Sequence, residues 1–122
     1  MRIEKTSSSR LEATDFNNLK FGEIFTDHMF VCDYEDGKWY DPRIIPYKPI
    51  EIDPSANVFH YGQAVFEGMK AYKDDLGKVW LFRPTENYKR ITISSKRLAM
   101  PELGENIFLS ALNELLTLDK GW

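Results

Sequence analysis

Alternation of apolar and polar residues predicts two β-hairpins, and residues 56–66 between them could form a short helix. The first contains an apolar run from Phe25 and a polar tip at 35–38, whose Asp-Gly pair supplies the backbone geometry of a tight turn. The second pairs Met69–Lys73 with Val79–Arg83 through another polar turn. We therefore expect two pairs of antiparallel strands joined by short turns.

Helical periodicity follows the second hairpin. Pro84 suits the first position of a helix because its missing N–H would have no partner there, and Pro101 stops that helix after Met100. A last helix is predicted from about Glu105 to Leu118, since its apolar residues form one broad stripe. Hairpins followed by helices indicate an α+β domain, with two helices packed on an antiparallel sheet.

The N-terminal residues have a different composition from the rest. Residues 1–20 are polar and rich in serine, which predicts a flexible leader, and residues 21–122 are expected to form the folded part. A chain of 122 residues fits one compact domain. Because a domain of this size buries a limited share of its surface, we expect a partner chain or further domain to cover more of it.

Charge and cysteine content exclude several classes of function. The 16 basic and 19 acidic residues give a net charge of −3 without a basic run, which argues against a nucleic-acid groove or a membrane-binding patch. The single cysteine excludes an internal disulfide, and no Cys/His cluster has the spacing of metal ligands. Without an apolar signal core or a membrane-spanning run, the chain is expected to be cytoplasmic.

The candidate chemistry is concentrated in the segment FHYGQAVFEGMKAY, residues 59–72. Gly62 and Gly68 cost stability unless the backbone needs a positive φ or a close neighbour, so they indicate the approach of a ligand or subunit. Tyr61 could present its hydroxyl at a pocket mouth, and Phe66 could line a pocket or a core. These residues predict a binding pocket. Because the sequence contains no catalytic triad or phosphate loop, the residues alone do not indicate which reaction takes place there.

Charged residues near this segment have two interpretations each. Arg90 lies within the first predicted long helix. It is either a solvent-exposed charge on that helix or a bidentate hydrogen-bond donor to a phosphate or carboxylate. Glu67 and Lys70 could form an ion pair, which at an exposed position contributes little stability. The pattern of residues alone leaves these alternatives open.

Several segments together resemble the N-terminal part of the branched-chain amino acid aminotransferases, which are pyridoxal-phosphate enzymes of fold type IV. The resemblance runs in matching order from Phe21 to Leu103. It is carried by FGEIFTDHMFVCDY at 21–34, HYGQAVFEGMKAY at 60–72, LFRPTENYKRI at 81–91 and RLAMPEL at 97–103. It implies that residues 21–122 are part of the small N-terminal domain of a homodimeric enzyme. That enzyme would transfer the amino group of leucine, isoleucine or valine to 2-oxoglutarate.

The resemblance also implies roles for single residues. Arg90 matches the arginine that contacts the phosphate of pyridoxal 5′-phosphate, and Tyr61, Phe66 and Phe21 match residues lining the pocket for the aliphatic substrate side chain. The family's catalytic lysine forms a Schiff base with the cofactor and belongs to the C-terminal domain. We therefore expect no catalytic residue within this chain and no activity from the chain alone.

Two other functions stay open at this point. The chain could belong to another fold type IV enzyme, such as a D-amino acid aminotransferase or an aminodeoxychorismate lyase, or be a non-catalytic binding module. The aromatic pocket residues and the FTDHM segment favour the branched-chain enzymes, since aliphatic side chains offer only apolar groups to bind. A reading frame that ends at Trp122 would favour the binding module.

Overall fold

The structure is a computed structural model that describes residues 1–122, and it divides into two compact units. Unit 1 comprises residues 1–48 and 111–122, and unit 2 comprises residues 49–110. Both contain strands and helical residues, so the predicted α+β class is confirmed. The two predicted hairpins and the two long helices occur in the predicted order, and a five-residue helix at Asn57–Tyr61 lies between the hairpins.

Unit 1 contains a three-stranded sheet with the strand order β1-β3-β2. Its strands are β1 (Arg2–Ile3), β2 (His28–Glu35) and β3 (Lys38–Pro46). β2 and β3 form the predicted antiparallel hairpin. The Asp36–Gly37 pair at its tip has φ angles of 50° and 78°, which is the left-handed geometry that the sequence predicted there. β1 runs parallel to β3 and was not predicted, because a two-residue strand carries no periodic signal.

The segment predicted as a flexible leader makes defined contacts in unit 1. Besides β1, a short 3₁₀ turn spans Leu11–Ala13. The backbone N–H of Thr6 donates to His28 Nε2 at 2.9 Å, and that of Arg10 donates to Asp27 Oδ1 at 2.9 Å. These bonds join the segment to the start of β2. Its mobility in solution stays a prediction, which hydrogen exchange would measure.

Two buried polar residues, Asp27 and His28, connect the N-terminal and C-terminal segments of unit 1. His28 Nδ1 lies 2.6 Å from Asp119 Oδ1, and the His28 backbone N–H donates to Asp119 Oδ2 at 3.1 Å. Because Nε2 accepts a bond from Thr6, the ring proton belongs on Nδ1, where it donates to Asp119. The imidazole is thus a neutral structural group with both nitrogens satisfied.

Asp27 accepts bonds from three donors: the Ser9 hydroxyl at 2.5 Å, the Arg10 amide at 2.9 Å and the Trp122 indole N–H at 3.1 Å. Burial pushes the pKa of the Asp27 carboxyl upward, but these donors outweigh burial and hold that pKa below its ordinary value. The carboxylate therefore stays charged and fixes both termini of the unit.

Unit 2 contains the second hairpin and most of the helical residues. Its elements are α1 (Asn57–Tyr61), β4 (Ala71–Lys73), β5 (Val79–Leu81), α2 (Pro84–Arg97) and the first residues of α3 (Glu105–Leu118), whose residues from Ala111 belong to unit 1. β4 and β5 are antiparallel, so the predicted hairpin is confirmed with shorter strands. α2 begins at Pro84 as predicted. It ends at Arg97 and not at Met100 as predicted, since Ala99 adopts a left-handed φ of 52° before Pro101 is reached. α3 has the bounds that the sequence predicts.

Few apolar side chains are buried in this chain. Ile44, Ile45 and Ala111 are buried, and all three lie in unit 1. Large apolar side chains on the surface of unit 2 include Phe59, Tyr61, Phe66, Leu76, Phe82 and Ile93.

None of the helices is long and apolar enough to cross a membrane.

Candidate functional site

The N-terminal half of α2 borders an open hollow of about 520 Å³. Its lining combines apolar and charged side chains from one short stretch of chain: Phe82, Arg83, Glu86, Asn87, Lys89, Arg90 and Ile93. Pro84 begins the helix next to these residues, and backbone N–H groups at a helix N-terminus favour negative charge. Three basic side chains on the lining add to that preference.

Arg90 is held in the hollow by Glu67. Oε2 of Glu67 accepts a bond from Arg90 Nε at 2.7 Å, and Oε1 accepts from Arg90 Nη2. The side chain of Glu67 is 5% exposed, whereas that of Arg90 is 67% exposed. The carboxylate thus lies beneath the surface and grips the guanidinium by its Nε side.

Further donors fix the carboxylate of Glu67. Asn87 Nδ2 donates to Glu67 Oε1 at 2.9 Å and to the Gly68 carbonyl at 3.2 Å, and the Gly68 backbone N–H donates to Oε1 at 3.1 Å. The hydrogen bond from Arg90 is the main cause that lowers the pKa of Glu67 to about 2, against the opposing effect of burial. Glu67 is therefore ionised at neutral pH.

The grip leaves part of the guanidinium available. Nε and one side of Nη2 donate to Glu67, while Nη1 and the outer side of Nη2 have no acceptor in the chain. These two nitrogens form the end-on fork of arginine, which matches two oxygens of a phosphate or carboxylate. Arg90 can therefore bind an anion without releasing Glu67.

The other basic residues of the hollow already have an acidic neighbour. Lys89 Nζ lies 2.8 Å from Glu86 Oε1, and Arg83 Nη2 lies 3.9 Å from the same oxygen. Arg83 has a left-handed φ of 50° directly before Pro84, a strained geometry for this residue. Both side chains are exposed, so these pairs contribute little stability.

The depressed pKa of Glu67 predicts a pH dependence of stability. Because the folded-state pKa is about 2 and the ordinary value is 4.5, the pair stabilises the fold fully above pH 4.5. That contribution is lost as the pH falls from 4.5 toward 2. In urea unfolding between pH 6 and pH 2, we expect the wild-type chain to lose more stability than Glu67→Gln. Parallel curves for the two proteins would contradict the assigned ion pair.

Tyr61 and Phe66 are almost fully exposed, at 83% and 88%. Tyr61 is the last residue of α1, which ends at Gly62 with a left-handed φ of 59°. The Phe66 ring lies over Gly68, where an added Cβ would be 3.5 Å from Phe66 Cζ. Gly62 therefore has one of the two explanations expected, a positive φ, whereas an added Cβ at Gly68 would make only an ordinary van der Waals contact, so no steric reason requires glycine there.

The structure places Phe66 next to the Glu67–Arg90 pair along the chain, but neither Phe66 nor Tyr61 lines the hollow. Phe21 is fully exposed and belongs to unit 1. The pocket roles of the three aromatic residues therefore stay predictions.

Sequence reasoning missed the partner of Arg90. The predicted exposed pair of Glu67 and Lys70 is wrong, since the Glu67 side chain is 5% exposed and is bonded to Arg90, 23 positions away. Asn87 was not singled out at all. Its position one helical turn before Arg90 is the signal that could have found it, because residues three apart share a helix face.

Comparison with curated proteins identifies the relatives of this chain. It is 55% identical over 112 residues to branched-chain-amino-acid transaminase 1 of Bacillus subtilis (strain 168), covering 91% of this chain and 32% of that protein. It is 50% identical to branched-chain-amino-acid aminotransferase 2 of the same organism, covering all of this chain and 34% of that protein. A branched-chain-amino-acid aminotransferase of Mycolicibacterium smegmatis is 47% identical over 106 residues, which are 86% of this chain and 29% of that protein.

The chain is related to the branched-chain aminotransferases. The resemblance seen in the sequence is thereby confirmed, and it extends over nearly all of the chain. The chain spans about a third of the length of the branched-chain aminotransferases that it matches, which fits an N-terminal part of such an enzyme. No protein-family model matches the chain.

Proposed function

We propose that this chain is part of a branched-chain amino acid transaminase that exchanges amino groups between leucine, isoleucine or valine and 2-oxoglutarate. The observation that carries the proposal is the 55% and 50% identity to two proteins of that name across 91% and 100% of the chain. The proposed enzyme uses pyridoxal 5′-phosphate, works as a homodimer and is cytoplasmic.

Arg90 and its hollow suit the phosphate end of this cofactor. The open end-on fork can bind two phosphate oxygens, and Lys89 and Arg83 add positive charge to the same lining. When bound, the cofactor supplies an electron sink for the substrate's α-carbon. The contribution of this chain is to hold the phosphate and to orient the cofactor.

The exposed rings of Tyr61, Phe66 and Phe21 are proposed to face the substrate. A ring offers a flat apolar surface to a branched aliphatic side chain, which presents only methyl and methylene groups. Rings this exposed are expected to be covered by other parts of the enzyme, because large apolar surfaces usually mark contacts. They would then form one wall of a pocket completed elsewhere.

The lysine that reacts with the cofactor is proposed to lie outside residues 1–122. Lys89, the lysine that lines the hollow beside Arg90, is paired with Glu86. Another fold type IV enzyme would share this arrangement and differ in its substrate. The relatives named above favour the branched-chain donors.

Borohydride reduction tests whether the lysine that reacts with the cofactor lies outside residues 1–122. We expect no stoichiometric reduced adduct when the chain of residues 1–122 is treated with pyridoxal 5′-phosphate and borohydride. In the protein extended through the rest of its reading frame, we expect one labelled lysine outside residues 1–122, located by peptide mass spectrometry. A stoichiometric label on a lysine of this chain would contradict the proposal, as would the absence of any label in the extended protein.

A further inference from the structure

Glu67 can act on an anion at Arg90 in two opposite ways. Its negative charge cancels that of the guanidinium, which would weaken attraction of a phosphate. Its two bonds also immobilise a long side chain, which removes an entropic cost from binding. The geometry of the pair decides which effect should be larger.

We propose that Glu67 is a positioning residue: it holds Arg90 from the Nε side so that the end-on fork stays open to the phosphate of the bound ligand. This inference rests on the proposed function, because it concerns the same phosphate. The carboxylate is buried on the inner side of the guanidinium, so it does not occupy the fork. A phosphate at the fork would meet Nη1 and Nη2, while Glu67 keeps Nε and the inner side of Nη2.

Asn87 supports this arrangement. Its amide bridges Glu67 Oε1 and the Gly68 carbonyl, so the carboxylate cannot rotate without losing a bond from α2. The Gly68 backbone N–H adds a donor from the adjacent residue. Since Asn87 and Arg90 are on the same helix, the carboxylate is tied to the helix at two points, and the guanidinium direction is fixed relative to the hollow.

The matched comparison is between two glutamates of the same site. Glu67→Gln and Glu86→Gln each remove one negative charge near Arg90, but only Glu67 contacts the guanidinium. If charge alone matters, both variants should bind phosphate more tightly than the wild type. If Glu67 positions Arg90, Glu67→Gln should bind phosphate more weakly, while Glu86→Gln binds it equally or more tightly.

The experiment titrates inorganic phosphate into the ¹⁵N-labelled 122-residue chain and follows the Nε–Hε resonance of Arg90. We expect a saturable shift in the wild type, and an affinity about three- to tenfold weaker in Glu67→Gln, the size expected for freeing one long side chain. The Arg90 Nε–Hε resonance should also broaden or average in that variant before phosphate is added. A merely structural role for Glu67 would leave the phosphate affinity unchanged in a Glu67→Gln variant that stays folded.

Two results would overturn the proposal. One is phosphate affinity in Glu67→Gln that equals or exceeds the wild-type value, and the other is an Arg90 resonance that does not respond to phosphate in the wild type. If circular dichroism shows that Glu67→Gln unfolds, Asn87→Ala decides instead: it keeps the ion pair, removes its support and should weaken phosphate binding. Unchanged affinity in a folded Asn87→Ala would then count against positioning. Lysine labelling of the extended protein tests the proposed function independently, so the two failures are distinguishable.

Discussion

Replacing Arg90 with alanine is expected to weaken pyridoxal 5′-phosphate binding by about 100-fold in the extended protein, since two charge-assisted hydrogen bonds are lost. The variant removes the end-on fork and leaves Glu67 buried without its main partner. Equilibrium titration of the protein freed of cofactor, monitored by the absorbance of the bound cofactor, measures the change.

Two variants distinguish the contribution of the guanidinium fork to cofactor affinity from the contribution of positive charge alone. Arg90→Lys keeps the positive charge without the planar fork, so its affinity should fall between those of the wild type and Arg90→Ala. Lys89→Ala removes a cation from the same hollow, but this lysine is paired with Glu86, and the loss should be about threefold or less. If Arg90→Ala binds the cofactor with wild-type affinity, Arg90 does not contact the cofactor.

Replacing Asp119 with alanine is expected to cost about 3 kcal/mol of the free energy of unfolding, because a buried polar pair loses one member. In the wild type, the ring Nδ1–H and the backbone N–H of His28 both donate to Asp119. The substitution would leave both donors without an acceptor. The same bonds join the end of α3 to β2, so the C-terminal segment should loosen as well. Urea unfolding followed by circular dichroism gives the difference.

The control for this change is Glu12→Ala in the same unit. Glu12 is exposed, and its removal should change the unfolding free energy by about 0.5 kcal/mol or less. Asp119→Asn keeps an oxygen acceptor for His28 and should cost less than alanine. A loss below about 1 kcal/mol in Asp119→Ala would mean that the His28 bonds are not the main link between the segments.

The elements of this fold were predictable where their signals are local. The Asp36–Gly37 turn, the start of α2 at Pro84 and the bounds of α3 each depend on a few neighbouring residues. The pairs that fix those elements were not predictable. His28 and Asp119 are 91 positions apart, and Glu67 and Arg90 are 23 apart, so no periodicity relates them.

In the candidate site, too, local features could be predicted from the sequence and long-range contacts could not. The glycines at 62 and 68 indicated unusual backbone surroundings, and the structure supplies a positive φ at Gly62 but only an ordinary van der Waals contact at Gly68. The pattern around Arg90 favoured a solvated helix charge over an anion-binding arginine, and only the resemblance to a family reversed that preference. The open fork could not be seen from sequence, because it follows from which guanidinium nitrogens a distant carboxylate engages.

The amino donor of the extended protein tests the central claim most directly. Initial rates of amino transfer to 2-oxoglutarate should be measured with L-leucine, L-isoleucine, L-valine and D-alanine as donors, with glutamate formation as the readout. We predict pyridoxal-phosphate-dependent transfer from the three branched-chain L-amino acids and little from D-alanine. Preference for D-alanine, or no transfer from any branched-chain donor by a folded protein that retains its cofactor, would contradict the account.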